Sequence, residues 1–356
     1  MELNETFASN AVTQAIDTSK PIAVKNAKEV FETTSPFFDK MQTKIFPSTQ
    51  HTPVVGRFKF KESSLTRMIL WAAAANLPAG FFGAEIKRNM YTYGPSGCGK
   101  TRLVEAFAAR TGRSVFREQC SKETTLSDLF GSWKLCGKDE GMKWVYGKVC
   151  QWAMQPNSIL LLDEWDQVSA DVAMGLNGVL DGAPIHLDQT GEIIKIADGC
   201  MIMATGNTNG RGSAGGQGGS AAIYKGTQKM NFANQDRFNV MFETYLSEED
   251  EIDLLISETK ATPLAAKAMA SLAAKIRANF IGLNEDAGAG GMAFQFTITT
   301  RNVLNWSMNF NLLTQMGKKV EEAYIEALRM TVLDFAPKDE AAAILSTWST
   351  IVGPSK

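Results

Sequence analysis

The chain has little with which to hold a transition metal. Its 356 residues include two histidines, His51 and His186, and five cysteines, Cys98, Cys120, Cys136, Cys150 and Cys200. None of the cysteines forms a C-x-x-C pair, which leaves the chain poorly equipped for a structural zinc. Their odd number fits a reduced compartment better than a disulfide framework. A lone histidine such as His186 reads as a surface or packing residue. Long apolar runs are also missing. The most apolar stretch, Leu65–Ala84, is broken by Arg67, Asn76, Pro78 and Gly80, and makes a poor membrane span. The N-terminus lacks a basic region followed by an apolar core, so no secretory signal is expected. Charge is balanced, 36 basic against 38 acidic residues, which gives no global pull toward nucleic acid and leaves only local patches to consider. These absences together favour a cytoplasmic protein without membrane contact. Hydrophobic residues at 44% and charged residues at 21% are ordinary for a globular chain. The length suits roughly two or three domains.

What is present centres on Gly94-Pro95-Ser96-Gly97-Cys98-Gly99-Lys100-Thr101, a G-x-x-x-x-G-K-T pattern. Glycines at this spacing let backbone N–H groups turn inward around phosphates. The lysine then reaches the terminal phosphates and the hydroxyl reaches Mg²⁺. Context supports the pattern. Met90–Tyr93 reads as a short strand, and Thr101–Thr111 as a helix with Leu103, Val104, Phe107 and Ala108 on one face and Gly112 as its stop. Arg102 joins the loop as a candidate nucleotide contact. The implied ligands are ATP and Mg²⁺.

A second signal is Ser158–Asp166. Four apolar residues in succession suit a central parallel strand covered on both faces. Two carboxylates follow at its C-terminal end, where open α/β sheets bind ligands. Asp163 is expected to hold the Mg²⁺ water shell, and Glu164 to orient the attacking water, which argues for hydrolysis as well as binding. Cys200–Ala204 is a further buried strand. Asn207 at its tip is either a holder of the lytic water or a turn former. Ser114–Cys120 and Val240–Tyr245 read as the remaining strands. Thr124–Gly131 starts a helix that a hairpin interrupts (Ser132–Cys136, Met142–Tyr146), and Val149–Met154 resumes it. Ala170–Leu180 is a helix, and Ile185–Leu187 with Glu192–Ile196 forms a second hairpin. The Gly-rich Asn209–Ser220 is expected to be mobile.

Residues 1–60 read as an N-terminal arm, either packed on a neighbouring subunit or mobile; residues 61–246 as the nucleotide-binding domain; residues 247–356 as a helical lid. Within the arm, Val54–Lys61 alternates basic and aromatic residues. It suits either a nucleic-acid strand or, as an edge strand, a solvated face. In the lid, Glu285–Gly291 is a break. Arg301 falls in the first turn of a helix over Thr297–Leu313, where a cation opposes the helix dipole. It serves either a phosphate or the surface.

Several blocks follow one another in a fixed order: Leu160-Leu161-Leu162-Asp163-Glu164-Trp165-Asp166, Ala204-Thr205-Gly206-Asn207, Tyr224-Lys225-Gly226-Thr227-Gln228, Asn234-Gln235-Asp236-Arg237-Phe238 and Thr300-Arg301-Asn302. Together with the two hairpins, this set resembles an AAA+ ATPase of the MoxR type, and most nearly the family of ATPase subunits of aerobic cobaltochelatases. The resemblance covers roughly residues 60–310. It implies an α/β fold, a three-layer αβα core with inserted β-hairpins followed by a small helical lid. It implies Asn207 as the first sensor, Arg237 as an arginine finger reaching a neighbour's nucleotide, and Arg301 as the second sensor, acting in its own subunit or on the next. A homo-oligomeric ring or spiral, typically a hexamer, and a protein partner with a von Willebrand A domain are further implications. The expected activity is ATP-driven remodelling of that partner. Two other readings stay open. One is a nucleic-acid motor, for which Trp133, Lys134, Lys138, Lys143 and Trp144 on the first hairpin are candidates. The other is a scaffold that assembles on nucleotide.

Overall fold

The computed structural model describes residues 17–77, 89–135, 141–210, 227–280 and 293–353. The Gly-rich Asn209–Ser220, apart from its first two residues, the Tyr224–Gly226 block, Cys136, Lys138 and the Glu285–Gly291 break lie outside them.

Along the chain the strands are β1 Ala23–Asn26, β2 Gln42–Ile45, β3 Asn89–Tyr93, β4 Val115–Gln119, β5 Gly131–Leu135, β6 Met142–Tyr146, β7 Ile159–Asp163, β8 Ile185–Leu187, β9 Glu192–Ile194, β10 Met201–Gly206 and β11 Phe238–Phe242. Five of them form one parallel sheet in the order β11-β3-β10-β7-β4. The apolar run of β7 explains its central place. Ile159 and Leu161 enter the core on one face, with Leu103 and Phe107 of the Lys100–Thr111 helix and with Leu65 and Met68 of the Glu62–Ala75 helix. Leu160 and Leu162 enter the core on the other face, with Val149, Trp152, Trp165 and Leu176. The four apolar side chains of β7 are fully buried, each worth about 1.5–3 kcal/mol of transfer free energy. The sheet is therefore the middle of three layers, and its C-terminal edge carries the polar residues.

Strand β11 starts and ends before the expected Val240–Tyr245. Its register on β3 places Phe238 opposite Asn89 and ends it at Phe242. The expected helix over Ala170–Leu180 is broken at Leu176 into Ala170–Gly175 and Asn177–Leu180. Both expected hairpins form, β5 with β6 and β8 with β9. In the first, Trp133 faces Trp144 edge-on at 5.8 Å and Lys134 stands opposite Lys143.

The described part of the N-terminal arm is fastened to its own chain. Phe31 stacks on Phe107 at 5.4 Å, the Phe46 N–H donates to the Thr111 carbonyl at 2.9 Å, and the Asn157 side chain donates to the Thr18 carbonyl at 2.8 Å. Val54–Lys61 is not an edge strand. Phe60 is buried in the core. Lys59 pairs with Asp250 and Asp253, and the Arg57 N–H donates to Glu258 at 3.2 Å, so the segment straps the core to the first lid helix. Its alternation puts aromatic rings inward and cations toward those acids.

The lid is a bundle of helices: Glu248–Thr259, Pro263–Ala278, Thr300–Gln315, Val320–Leu328 and Lys338–Val352. Past Leu328 the Val320–Leu328 helix widens into a π turn over Arg329–Leu333. The core of the bundle is small-residue rich, with Ala265, Ala266, Ala270 and Ala273 letting the Pro263–Ala278 helix approach Trp306 and Trp348. Inside it Arg277 makes two 2.9 Å hydrogen bonds to Glu251, donates to the Ile298 carbonyl and lies over the Tyr245 ring at 4.3 Å. Removing one partner of such a pair strands a charge. Glu251→Ala is expected to lower lid stability by about 3–5 kcal/mol, read as an earlier urea transition; an unchanged midpoint would refute the assignment.

Candidate functional site

The loop between β3 and the Lys100–Thr111 helix depends on glycines at three points. Gly94 sits at φ +154°, where a Cβ would come within 1.8 Å of the Glu243 carbonyl oxygen. Gly97 (φ +71°) presses on Thr299, with a Cβ there 2.7 Å from the threonine Cβ. At Gly99 (φ +100°) the space is open, with Phe58 the nearest neighbour at 3.9 Å. The loop is also tied from outside. The Tyr245 hydroxyl donates to the Ser96 carbonyl at 2.8 Å, and the Cys98 thiol lies 3.7 Å from the Glu243 carbonyl. Burial pushes the Cys98 thiol up. Arg102 is exposed and lies 3.7 Å from Glu105.

Lys100 is buried, and its ammonium donates to the carbonyls of Gly94 (2.8 Å) and Pro95 (3.0 Å) and to Oδ1 of Asn207 (3.0 Å). Burial lowers its pKa from the ordinary lysine value. The Thr101 hydroxyl donates to both Asp163 oxygens, at 2.9 and 3.1 Å. Asp163 also receives the Thr205 hydroxyl and the Arg117 guanidinium. Glu164, next along, adopts a left-handed conformation (φ +59°) that ends β7 sharply. Its N–H donates to Thr205 Oγ1 at 3.1 Å, and its carboxylate receives the Gln167 amide at 2.8 Å. Asp166 is buried, and its Oδ2 takes the N–H groups of Asn207 and Thr208. Burial raises its pKa above the usual carboxylate range, against the pull of those donors.

Lys100, Thr101, Asp163, Glu164 and Asn207 are thus brought into one cluster of contacts. The two arginines are not. Arg237 forms a forked pair with Asp181 (2.7 and 2.8 Å) and donates to the Ala233 carbonyl at 2.7 Å. Arg301 is exposed on the first turn of the Thr300–Gln315 helix; that helix touches the loop through its N-cap, Thr299, on Gly97. Sequence reasoning missed Arg117, Thr205, Asp166 and Gln167. Thr205 and Asp166 lie inside blocks singled out above, yet nothing in their spacing marked them. Arg117 carries no local signal at all.

The hydroxyl of Thr101 and the carboxylate of Asp163 are hard oxygen donors beside the phosphate loop. One carboxylate and one hydroxyl suit an ion that keeps its waters and takes phosphate oxygens, as Mg²⁺ does. Among the described residues no cluster of three or more His, Cys, Asp or Glu side chains offers an all-protein cage.

Residues 90–225 match the AAA domain of the dynein-related subfamily. The protein NorQ of Paracoccus denitrificans is 28% identical over 236 residues, 66% of this chain and 78% of its own length. The aerobic cobaltochelatase subunit CobS of a Sinorhizobium species is 26% identical over 281 residues, 76% of this chain and 77% of its own. A RuvB mutant of Thermotoga maritima superposes over 77% of this chain and 71% of its own at a TM-score of 0.48 and 12% identity. The domain and these two sequence relatives are consistent with a MoxR-type AAA+ ATPase, and the five-stranded sheet with its helical lid is that architecture. An AAA domain implies nucleotide binding and hydrolysis. No helix among the described residues is long and apolar enough to cross a membrane.

The loop's two outer glycines should respond differently to a methyl group. Gly94→Ala meets backbone at 1.8 Å and is expected to abolish nucleotide binding and lower the melting temperature. Gly99→Ala meets open space and carries only backbone strain, about 1–2 kcal/mol. Thermal melts and nucleotide titration of both variants check the order; equal effects would contradict the contact with Glu243.

Proposed function

We propose that this protein is a Mg²⁺-dependent ATPase that works as a ring and remodels a partner protein. The observation that carries the reading is the Asp163 carboxylate bonded to the Thr101 hydroxyl, beside a lysine that shares Asn207. The loop from Gly94 to Lys100 would cradle the α- and β-phosphates with its N–H groups, and the Lys100 ammonium would leave its carbonyl partners for the β- and γ-phosphates. Mg²⁺, held by Thr101 with Asp163 behind it, would neutralise charge on the β- and γ-phosphates. Glu164 would orient the attacking water once its carboxylate turns from Gln167. Asn207 would hold the same water or the γ-phosphate from the side of β10.

Arg237 and Arg301 complete the reading from outside this cluster. A finger arginine acts on charge that develops at a neighbour's phosphate. Arg237 is held by Asp181 and Ala233 on its own subunit, so it would serve a second copy only after turning away from Asp181. Arg301 would meet phosphate when the lid closes, in its own subunit or the next. These roles require a ring or spiral, and six copies is the number the family likeness favours. The similarity to a cobaltochelatase subunit supports a partner-remodelling output, with a von Willebrand A domain protein as the partner and metal insertion as one form of the work.

One observation favours a second reading. The β5–β6 hairpin exposes Trp133 and places Lys134 opposite Lys143, chemistry that also suits a nucleic-acid strand. Several-fold stimulation of turnover by single- or double-stranded DNA would favour that motor; no stimulation favours the remodeller.

Glu164→Gln is expected to lower kcat by about 10²-fold or more while ATP binding survives; unchanged turnover would overturn its role. Arg237→Ala is expected to be inactive alone. Mixed with the inactive Glu164→Gln protein it should regain activity, because an intact Glu164 and an intact Arg237 then meet across some interfaces. No recovery on mixing would remove the shared site.

A further inference from the structure

Asp166 lies just beyond β7, is 1% exposed, and spends its side-chain hydrogen bonds on the turn after β10. Burying a carboxylate is costly unless both oxygens are satisfied. Here one oxygen does all the accepting. Oδ2 takes the N–H of Asn207 at 2.8 Å, the N–H of Thr208 at 3.0 Å and the Thr208 hydroxyl at 3.2 Å, while Oδ1 has no partner among the described residues. A site shaped for stability alone would not leave a buried carboxylate oxygen unpaired. From the other side, the Tyr91 hydroxyl donates to the Thr208 carbonyl at 2.5 Å. Gly206 is what lets both groups in, since a Cβ there would stand 2.0 Å from the tyrosine oxygen and 2.9 Å from the Asp166 carboxyl carbon. The turn after β10 is therefore clamped at its amides by Asp166 and at its carbonyl by Tyr91. From this turn the Asn207 side chain reaches the phosphate loop, where its Oδ1 receives Lys100.

The geometry points to Asp166 as a positioning residue: through the backbone amides of residues 207 and 208 it aims the Asn207 side chain, and so sets turnover without touching nucleotide. The inference rests on the ATP-hydrolysis reading above. Asp166 acts jointly with Tyr91, and the carboxylate is required as an acceptor, not as a charge. An asparagine in its place keeps a carbonyl oxygen for the three donors.

The test compares Asp166→Ala, Asp166→Asn, Asn207→Ala and the double variant Asp166→Ala/Asn207→Ala in steady-state ATPase assays, with Glu164→Gln alongside. Asp166→Ala is expected to lose about 10- to 100-fold in kcat, as a misplacement near 1 Å can cause, with KM for ATP within about two-fold of wild type. Asp166→Asn is expected to recover kcat to within a few-fold of wild type. The double variant should be no slower than Asn207→Ala, because the two residues act as one unit. Full wild-type kcat in Asp166→Ala, or a loss that multiplies with that of Asn207→Ala, overturns the inference. Should Asp166→Ala not fold, Tyr91→Phe removes only the clamping hydroxyl and carries the same kcat-against-KM comparison. A crystal structure of Asp166→Ala separates this inference from the reading beneath it. Displacement of Asn207 Oδ1 from Lys100 supports positioning even if Glu164→Gln stays active and the hydrolytic assignment fails; an undisplaced Asn207 overturns positioning whatever Glu164→Gln does.

Discussion

The carboxylate of Asp163 is the point on which the site depends. It closes β7, and its two oxygens gather the Thr101 hydroxyl from the phosphate-loop helix, the Thr205 hydroxyl from β10 and the Arg117 guanidinium from β4. Three neighbouring elements are thereby registered on the end of one strand. The carboxylate is buried, where charge-assisted hydrogen bonds are strong and an unpaired oxygen is expensive. The central position of β7 makes this possible. Its apolar residues secure it from both faces, so that its last residue emerges at one defined place on the C-terminal edge of the sheet.

A second constraint joins the loop to the lid. Gly97 rests on Thr299, the N-cap of a lid helix, and Ser96 is bonded to Tyr245, whose ring lies under Arg277. Arg277 in turn is forked onto Glu251 inside the bundle. The strap at Arg57–Lys59 crosses to the same lid helix at Asp250, Asp253 and Glu258. The loop is therefore tied to the lid through hydrogen bonds, close packing and a cation–π contact.

Much of the fold was legible in the sequence because local physics dominated there. The uninterrupted run at Ile159–Leu162 suits a strand covered on both faces, and the glycines of the phosphate loop mark positive φ angles that other residues resist. The reading went astray where tertiary contacts override local preference. Val54–Lys61 alternates like a strand, yet the Lys59 ammonium and the Arg57 N–H are drawn to acids some two hundred residues further along the chain. The helix over Ala170–Leu180 breaks at Leu176, and nothing in its apolar spacing foretold that. Asp166 and Thr205 were in view as members of motifs, but their partners lie on other strands.

The sequence by itself determined the chemistry available: a G-x-x-x-x-G-K-T loop and an Asp-Glu pair at a strand end, because each is a local pattern of residue types. Only the tertiary structure decided which side chains share an atom. Asp163 collects three donors, Asp166 holds the turn that carries Asn207, and Arg237 is folded onto Asp181. Hydrogen bonds depend on distances of a few tenths of an ångström between residues far apart in the chain, and no local pattern encodes those distances.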